Sequence, residues 1–487
     1  MTLFKSLLLG SAAGLVAIAG ASAADLPSKK AAPATYVKIC DAYGAGFFYI
    51  PGTETCVKLG GYTRYELQYT PGKDILKPTT AGVAPIVGHY AATQDTFGSE
   101  YRGRIDVDAR TPTSMGVARS YISVRGGGTT GLRKSAVDYA AGTAKPNVDA
   151  ANGSLTLERA FVQWAGFTAG ISTSNYAFMP SMTYTANLWS GYANGQRQLS
   201  YTAVLGGGLS ATVAIEDKPM GNGDTGSTSI TNVDTANVIV ANLRLDQAWG
   251  FAVLHGMVGK NSTTNGVYAV DTTFGPLSPV ALVAPTVTNN ISQRTENAYA
   301  IGATVNFKLD AIAKGDQIWV TANYTNGILG AVTSNPLGNP NDSSSGGRVL
   351  GGVLRKDNNI MYQGAVGGVD QYSNVTAWNV GAQAVHYWDP KWRSMFTAAY
   401  VSITPPNQSQ TSALAWGKGY AYETRGSLIY SPVSNFDIGL EVQYMKNSSK
   451  LQNTGTASIA AGTWAAAGYN GLSNSNVSTK LRVERSF

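Results

Sequence analysis

Hydrophobic and polar residues alternate along most of this chain with a period of two. Between residues 57 and 69 the odd positions are Val57, Leu59, Gly61, Thr63, Tyr65, Leu67 and Tyr69, whereas the even ones include Lys58, Tyr62, Arg64, Glu66 and Gln68. Successive side chains of a strand point to opposite faces, so this run predicts a strand with one apolar and one charged side. The next run is sharper: Tyr101, Ile105, Val107 and Ala109 oppose Arg102, Arg104, Asp106, Asp108 and Arg110. The core of a soluble domain does not accept such a row of charges, so the second face needs water. The pattern returns at Tyr299, Ile301, Ala303, Val305, Phe307 and Leu309 against Asn306 and Lys308. It returns again at Phe436, Ile438, Leu440, Val442 and Tyr444 against Asp437, Glu441 and Gln443. A last run sets Val477, Thr479, Leu481 and Val483 against Lys480, Arg482 and Glu484 and ends on Phe487.

Sixteen such segments are expected, beginning near Cys56, Ser99, Gly116, Leu155, Phe167, Gln198, Leu209, Ala236, Trp249, Glu296, Asp316, Asn374, Trp392, Gly419, Phe436 and Asn476. Short links at 111–115, 165–166, 206–208, 246–248, 310–315, 389–391 and 432–435 alternate with long polar ones such as 70–98, 127–154, 261–295, 327–373 and 446–475. Strict alternation makes neighbouring strands antiparallel, with the short turns and both termini on one rim and the long loops on the other. The fold class expected is therefore all-β, a 16-stranded antiparallel transmembrane β-barrel. An even strand number closes the sheet and leaves no edge for hydrocarbon to strand. Sixteen strands also enclose more space than side chains fill, so the interior holds water. A large secreted β-sandwich or solenoid is the competing architecture; it would bury the apolar face, and its links need not alternate in length.

Composition fits the barrel. Only 13% of the 487 residues are charged, against about 25% in ordinary soluble domains. Lys5, an apolar stretch over 7–21 and the small residues Ala21, Ser22 and Ala23 read as a secretory signal peptide covering residues 1–23. The stretch is shorter than the ~20 apolar residues of a membrane-spanning helix. Residues 24–35, rich in Ala, Pro and Lys, read as a flexible leader, and 36–487 as the barrel domain. The net charge is +7 without a concentrated basic run, so nucleic acid is not an expected partner. The excess suits a charged pore or contact with acidic lipid headgroups. The two cysteines, Cys40 and Cys56, form a close pair in an exported chain, which predicts a disulfide.

Three blocks carry a resemblance: ADLPSKKAAP at 24–33, VKICDAYGAGFFYIPGTETCVKLGG at 37–61 and RAFVQWAGFTAGIS at 159–172. They resemble the alphaproteobacterial porin family of rhizobia and brucellae. The resemblance implies a homotrimer of sixteen-stranded barrels in the outer membrane, among its lipid and lipopolysaccharide, passing small hydrophilic solutes by passive diffusion. It also implies a third long loop folded inward to narrow each barrel. Phe487 matches the C-terminal aromatic residue that barrel-assembly machinery reads in such proteins.

That loop spans 174–197, SNYAFMPSMTYTANLWSGYANGQR, and holds Tyr176, Met179, Met182, Tyr184, Trp189, Tyr192 and Arg197 but no Asp or Glu. Porins resembling this one set loop carboxylates against a basic wall. Here the wall is present in Lys58, Arg64, Arg102, Arg104, Arg119, Arg125 and Arg159, partly offset by Glu66, Asp106 and Asp108, and the loop acids are missing. The narrowest section is therefore expected to be positive or neutral and to favour small anions. The plainer reading is that these arginines pair with acids on adjacent strands. Met179, Met182, Trp189 and Tyr192 are expected to pack the loop to the wall, with a sugar-binding patch as the alternative. Tyr65, Tyr69, Trp164 and Tyr430 suit interfacial aromatic girdles.

No catalytic site, metal or cofactor is expected. Gly126, Gly128 and Gly131 fit GxGxxG, but the strand before them alternates Arg119, Tyr121, Ser123 and Arg125 where a dinucleotide fold needs a wholly apolar strand. His89, His255 and His386 lack ligand spacing. The second functional reading is a surface-binding protein, an adhesin or phage receptor, acting through its long loops.

Overall fold

The computed structural model describes residues 38–71, 96–130, 154–180, 182–184, 195–217, 237–264, 293–333, 360–366, 369–406, 416–451 and 471–487. The signal peptide, the leader and most of each long link lie outside these residues. The strands are β1 (Phe47–Tyr49), β2 (Cys56–Thr70), β3 (Thr96–Thr113), β4 (Gly116–Thr130), β5 (Ser154–Trp164), β6 (Phe167–Thr173), β7 (Gly195–Gly206), β8 (Leu209–Glu216), β9 (Val238–Gln247) and β10 (Gly250–Thr264). They continue with β11 (Gln293–Lys308), β12 (Gln317–Asn326), β13 (Ile360–Val366), β14 (Val369–Asn374), β15 (Thr376–Tyr387), β16 (Trp392–Thr404), β17 (Trp416–Val433), β18 (Phe436–Leu451) and β19 (Gly471–Ser486). Helical content among the described residues is two 3-10 turns, Asp41–Tyr43 and Leu329–Ala331.

β2 to β12 and β15 to β19 pair antiparallel with their chain neighbours, and β19 pairs back onto β2, so sixteen strands close a barrel. Every segment anticipated from alternation is a strand. Two features were not anticipated: the β13–β14 hairpin, which stands apart from the barrel sheet, and the short β1. Tight turns have local causes. At the β5–β6 turn Ala165 and Gly166 have φ of 49° and 86°, and two consecutive positive φ values give the turn whose twist matches paired strands.

β1 completes the barrel seam. β19 covers β2 from Tyr69 to Tyr62, and Phe487 then exchanges backbone hydrogen bonds with Gly61. Below that point Phe47, Phe48 and Tyr49 of β1 pair with Lys58, Val57 and Cys56. The Cys40–Cys56 disulfide holds this N-terminal clip in place. Without it the start of β2 would be an open edge, with unpaired amides and carbonyls.

Exposure is inverted relative to a soluble protein. Ile105 is 60% exposed and Phe396 56%, whereas Glu66 is 3% and Arg425 1%. Large apolar side chains ring the outside at alternate positions, among them Leu59, Tyr101, Ile122, Leu199, Leu243, Leu254, Ile301, Val380, Leu440 and Leu481. Their neighbours in sequence point to the enclosed side. An outward apolar band around a closed sheet is the arrangement lipid requires. Tyr65, Tyr69 and Trp164 are exposed within that band, and Tyr430 sits 4.7 Å from the ring of Trp392.

Candidate functional site

The charged side chains gather on the inner face of β19 and β2 to β5. Register alone builds the arrangement. Arg64 lies opposite Arg102, Arg104 opposite Arg125, and Arg110 opposite Arg119, so like charges face each other in three rows. Carboxylates set between the rows relieve the repulsion. Asp108 takes Arg119 at 2.9 Å and Arg110 at 2.8 Å, and Asp106 takes Arg104 at 2.9 Å. Glu158 reaches Arg125 at 2.6 Å and Arg104 at 3.9 Å. Arg102 pairs with Glu100, and Arg64 with Glu484. Arg159 makes no ion pair among the described residues. Lys58 also stands apart, with its ammonium on the Ala45 carbonyl at 3.2 Å. Aromatic rings share this face: Arg64 and Arg104 stack on Tyr62 at 4.6 and 4.8 Å, and Arg119 covers the stacked Tyr121–Phe161 pair.

The segment that follows β6 makes contacts far from its own strand. At its start the carboxylate of Glu216, on β8, accepts from Ser174 Oγ at 2.6 Å and from the Asn175 amide at 2.7 Å. Asn242 donates to the Asn175 carbonyl. The Tyr176 ring then stands edge-on to His255 at 4.3 Å in a buried cluster with Val240 and Met257. Across the barrel, the Tyr184 amide donates to Glu441 at 2.9 Å, and Lys480 and Arg482 both donate to the Tyr184 carbonyl at 3.1 Å. Arg482 also lies over the Tyr184 ring at 3.9 Å, while Arg425 donates to Thr183. Burial pushes the phenols of Tyr176 and Tyr184 upward, so both rings are neutral. Met179 and Met182 pack against inner-face hydrophobic residues, Met179 among them touching two clusters.

Of the loop residues named from sequence, Met179, Met182 and Tyr184 share one cluster and Tyr176 lies in another, and Trp189 and Tyr192 lie outside the described residues. Arg197 departs from expectation. It belongs to β7, whose enclosed positions are even-numbered, and its side chain is 79% exposed beside Asp217. The wall residues Lys58, Arg64, Arg102, Arg104, Arg119, Arg125 and Arg159 and the acids Glu66, Asp106 and Asp108 all hold enclosed register positions.

Sequence reading missed the carboxylates that hold the loop. Glu216 and Glu441 are fully buried beneath it and receive its backbone amides. Glu66 was assigned only to offset the wall; in the structure it takes Lys480 at 3.0 Å and Arg482 at 2.5 Å. The signal was available, since Glu441, Lys480 and Arg482 stand on polar faces of alternating runs. What was absent was any hint of their partner.

Comparison with known proteins decides the family. A family model described as a porin subfamily matches residues 25–471. The chain belongs to the porin family. This porin is 30% identical to porin Omp2b of Brucella neotomae over 316 residues, which cover 62% of this chain and 75% of that protein. Omp2b of Brucella abortus (strain 2308) is also 30% identical, over 314 residues. Among solved structures the outer membrane channel DcaP of Acinetobacter baumannii superposes with a TM-score of 0.54 at 16% identity, covering 90% of this chain and 99% of that one, a likeness of fold. The protein is thus an integral outer-membrane β-barrel and a general porin channel, and its inner polar face borders the water path.

Proposed function

We propose that this porin is a trimeric, passive diffusion channel whose lumen passes small hydrophilic anions more readily than cations of equal size. One observation carries the preference. On the enclosed side of β19 and β2 to β5, ten cationic side chains (Lys58, Arg64, Arg102, Arg104, Arg110, Arg119, Arg125, Arg159, Lys480 and Arg482) meet six carboxylates (Glu66, Glu100, Asp106, Asp108, Glu158 and Glu484). Ion pairing therefore neutralises part of this wall and leaves it positive, with Arg159 outside the pairing.

The segment that leaves β6 at Ser174 and reaches Tyr184 acts as the constriction element. The contacts of Thr183 and Tyr184 with Arg425, Glu441, Lys480 and Arg482 support this, because they carry the segment from β6 to the opposite wall. With no carboxylate of its own, the loop adds nothing that would repel an anion. Charge on the lining sets which ion enters, and the one-sided row of wall arginines is the largest fixed charge there. No step of covalent chemistry is needed: solutes move down their gradient through water.

The test is a planar-bilayer recording under a salt gradient. Steady conductance steps in groups of three, with a reversal potential on the anion side, are expected. Clear cation selectivity would overturn the anion preference, and a silent bilayer would overturn the channel.

A further inference from the structure

A second segment enters the barrel. At the end of β12, Gly327 has φ +85°, and a Cβ there would run into the side chains of Asn261 and Asn374. The chain turns at this glycine out of the wall and into the enclosed space. Ile328, Leu329, Ala331, Val332 and Thr333 that follow are each 0% exposed. The turn is fixed at every step by hydrogen bonds. Gly327 donates to the Val375 carbonyl at 2.9 Å, Asn261 donates to the Gly327 carbonyl, the Ile328 amide donates to Thr325 Oγ1 at 3.0 Å, and Asn379 donates to the Val332 carbonyl.

The apolar side chains of this segment face two ways. Ile328 and Ala331 pack with Val240, Met257 and Ala300 of β9 to β11, together with Tyr176. Leu329 and Val332 pack with Val401, Ile403 and Met445 of β16 and β18, together with Met179. Those strand residues hold enclosed positions, as their neighbours Ile239, Val258 and Ile301 are exposed on the outside. A wall that borders water has no use for buried Val, Ile and Met on its inner side. Their presence marks a part of the enclosed space that is filled, and 328–333 fills it together with Tyr176 and Met179.

We propose that residues 327–333 are a second constriction element. Together with 174–180 and 182–184 they close the part of the barrel bordered by β9 to β11 and β15 to β18, set the size limit of the channel, and confine solutes to the remaining passage beside the arginine wall. The proposal rests on the porin reading above and goes beyond it by naming what holds solutes against that wall.

Two variants of the full-length protein test it: replacement of residues 328–333 by a Gly/Ser sextet, and the milder pair Leu329→Ala with Val332→Ala. Folding is checked first by heat-modifiable mobility in detergent. In planar bilayers the Gly/Ser variant is expected to conduct roughly twofold more per step, since conductance follows open cross-section. In liposome-swelling assays it is expected to admit oligosaccharides that the parent excludes, and its anion preference is expected to fall toward unity. The Ala pair is expected to shift the same readouts in the same direction by less. A folded, channel-forming variant of either kind with unchanged conductance, size limit and reversal potential overturns the proposal. A parent protein that forms no channel would overturn the porin reading first, and this inference with it.

Discussion

At the scale of single residues, Glu66 is a buried carboxylate that meets three cations. It accepts Lys480 and Arg482 across the β19–β2 seam, and Arg64 stands 3.8 Å away. Removing one partner of a buried ionic cluster leaves the others uncompensated, at a cost of about 3–5 kcal/mol. Glu66→Gln is therefore expected to lower the temperature at which the barrel loses its heat-modifiable form, and an unchanged midpoint would show that lumen water screens the cluster. The parity of such residues was legible from alternation, which puts the basic side chains of β2 to β5 on one face. Their pairing was not. Which acid meets which arginine depends on strand register, and a slip of one residue turns every side chain to the other face. Glu158 shows the limit: a bulge opposite Ser123 and Val124 brings it to Arg125 and Arg104, although plain alternation would put it on the face opposite Arg159.

At the scale of elements, the sixteen strands were legible because lipid on one side and water on the other write a period of two into each. The segment after β6 carries no such period, and the placement of its described residues follows from a few long-range contacts. Tyr184 is seated where Gly439 of β18 has no side chain: a Cβ there would collide with the Tyr184 hydroxyl. Gly439→Val is expected to lift Tyr184 from β18, raising open-channel noise and altering conductance with barrel content by circular dichroism unchanged. Unaltered recordings would mean that the Glu441, Lys480 and Arg482 contacts hold the loop without this seat. The N-terminal clip makes a separate prediction. Cys40 and Cys56 close a short loop and hold β1 on the edge of β2, and chain entropy assigns such a cross-link about 3 kcal/mol. Reduction, or Cys40→Ser, is expected to lower thermal stability while leaving conductance intact, because the clip lies at the short-turn rim, away from the loop. The β13–β14 hairpin escaped the sequence reading since it lies inside a long polar link and pairs with no barrel strand.

At the scale of the whole molecule, charge is distributed unevenly around the barrel. The wall of β19 and β2 to β5 carries the excess of cations, while Glu216, Glu423, Glu441 and Asp437 stand on other strands, Glu216 and Glu441 beneath the loop. Glu216 and Glu441 accept backbone amides of the segment that follows β6, whereas the wall of β19 and β2 to β5 presents mainly guanidinium groups to the enclosed side. A field across a water-filled lumen is screened by the ions that fill it. The Debye length is about 10 Å at 0.1 M salt and about 3 Å at 1 M, so the arginine wall acts across the passage in dilute salt and only at its own surface in concentrated salt. Anion preference, read from reversal potentials at a fixed salt ratio, is therefore expected to be strong in the dilute range and to decline steadily as both compartments are concentrated. Selectivity independent of ionic strength would instead mean that ions are chosen by direct contact with one or two arginines. In that case Arg159, which has no ion-pair partner among the described residues, is the first to change: Arg159→Glu would then reverse the preference at every salt concentration, whereas field control predicts only a partial loss that vanishes at high salt.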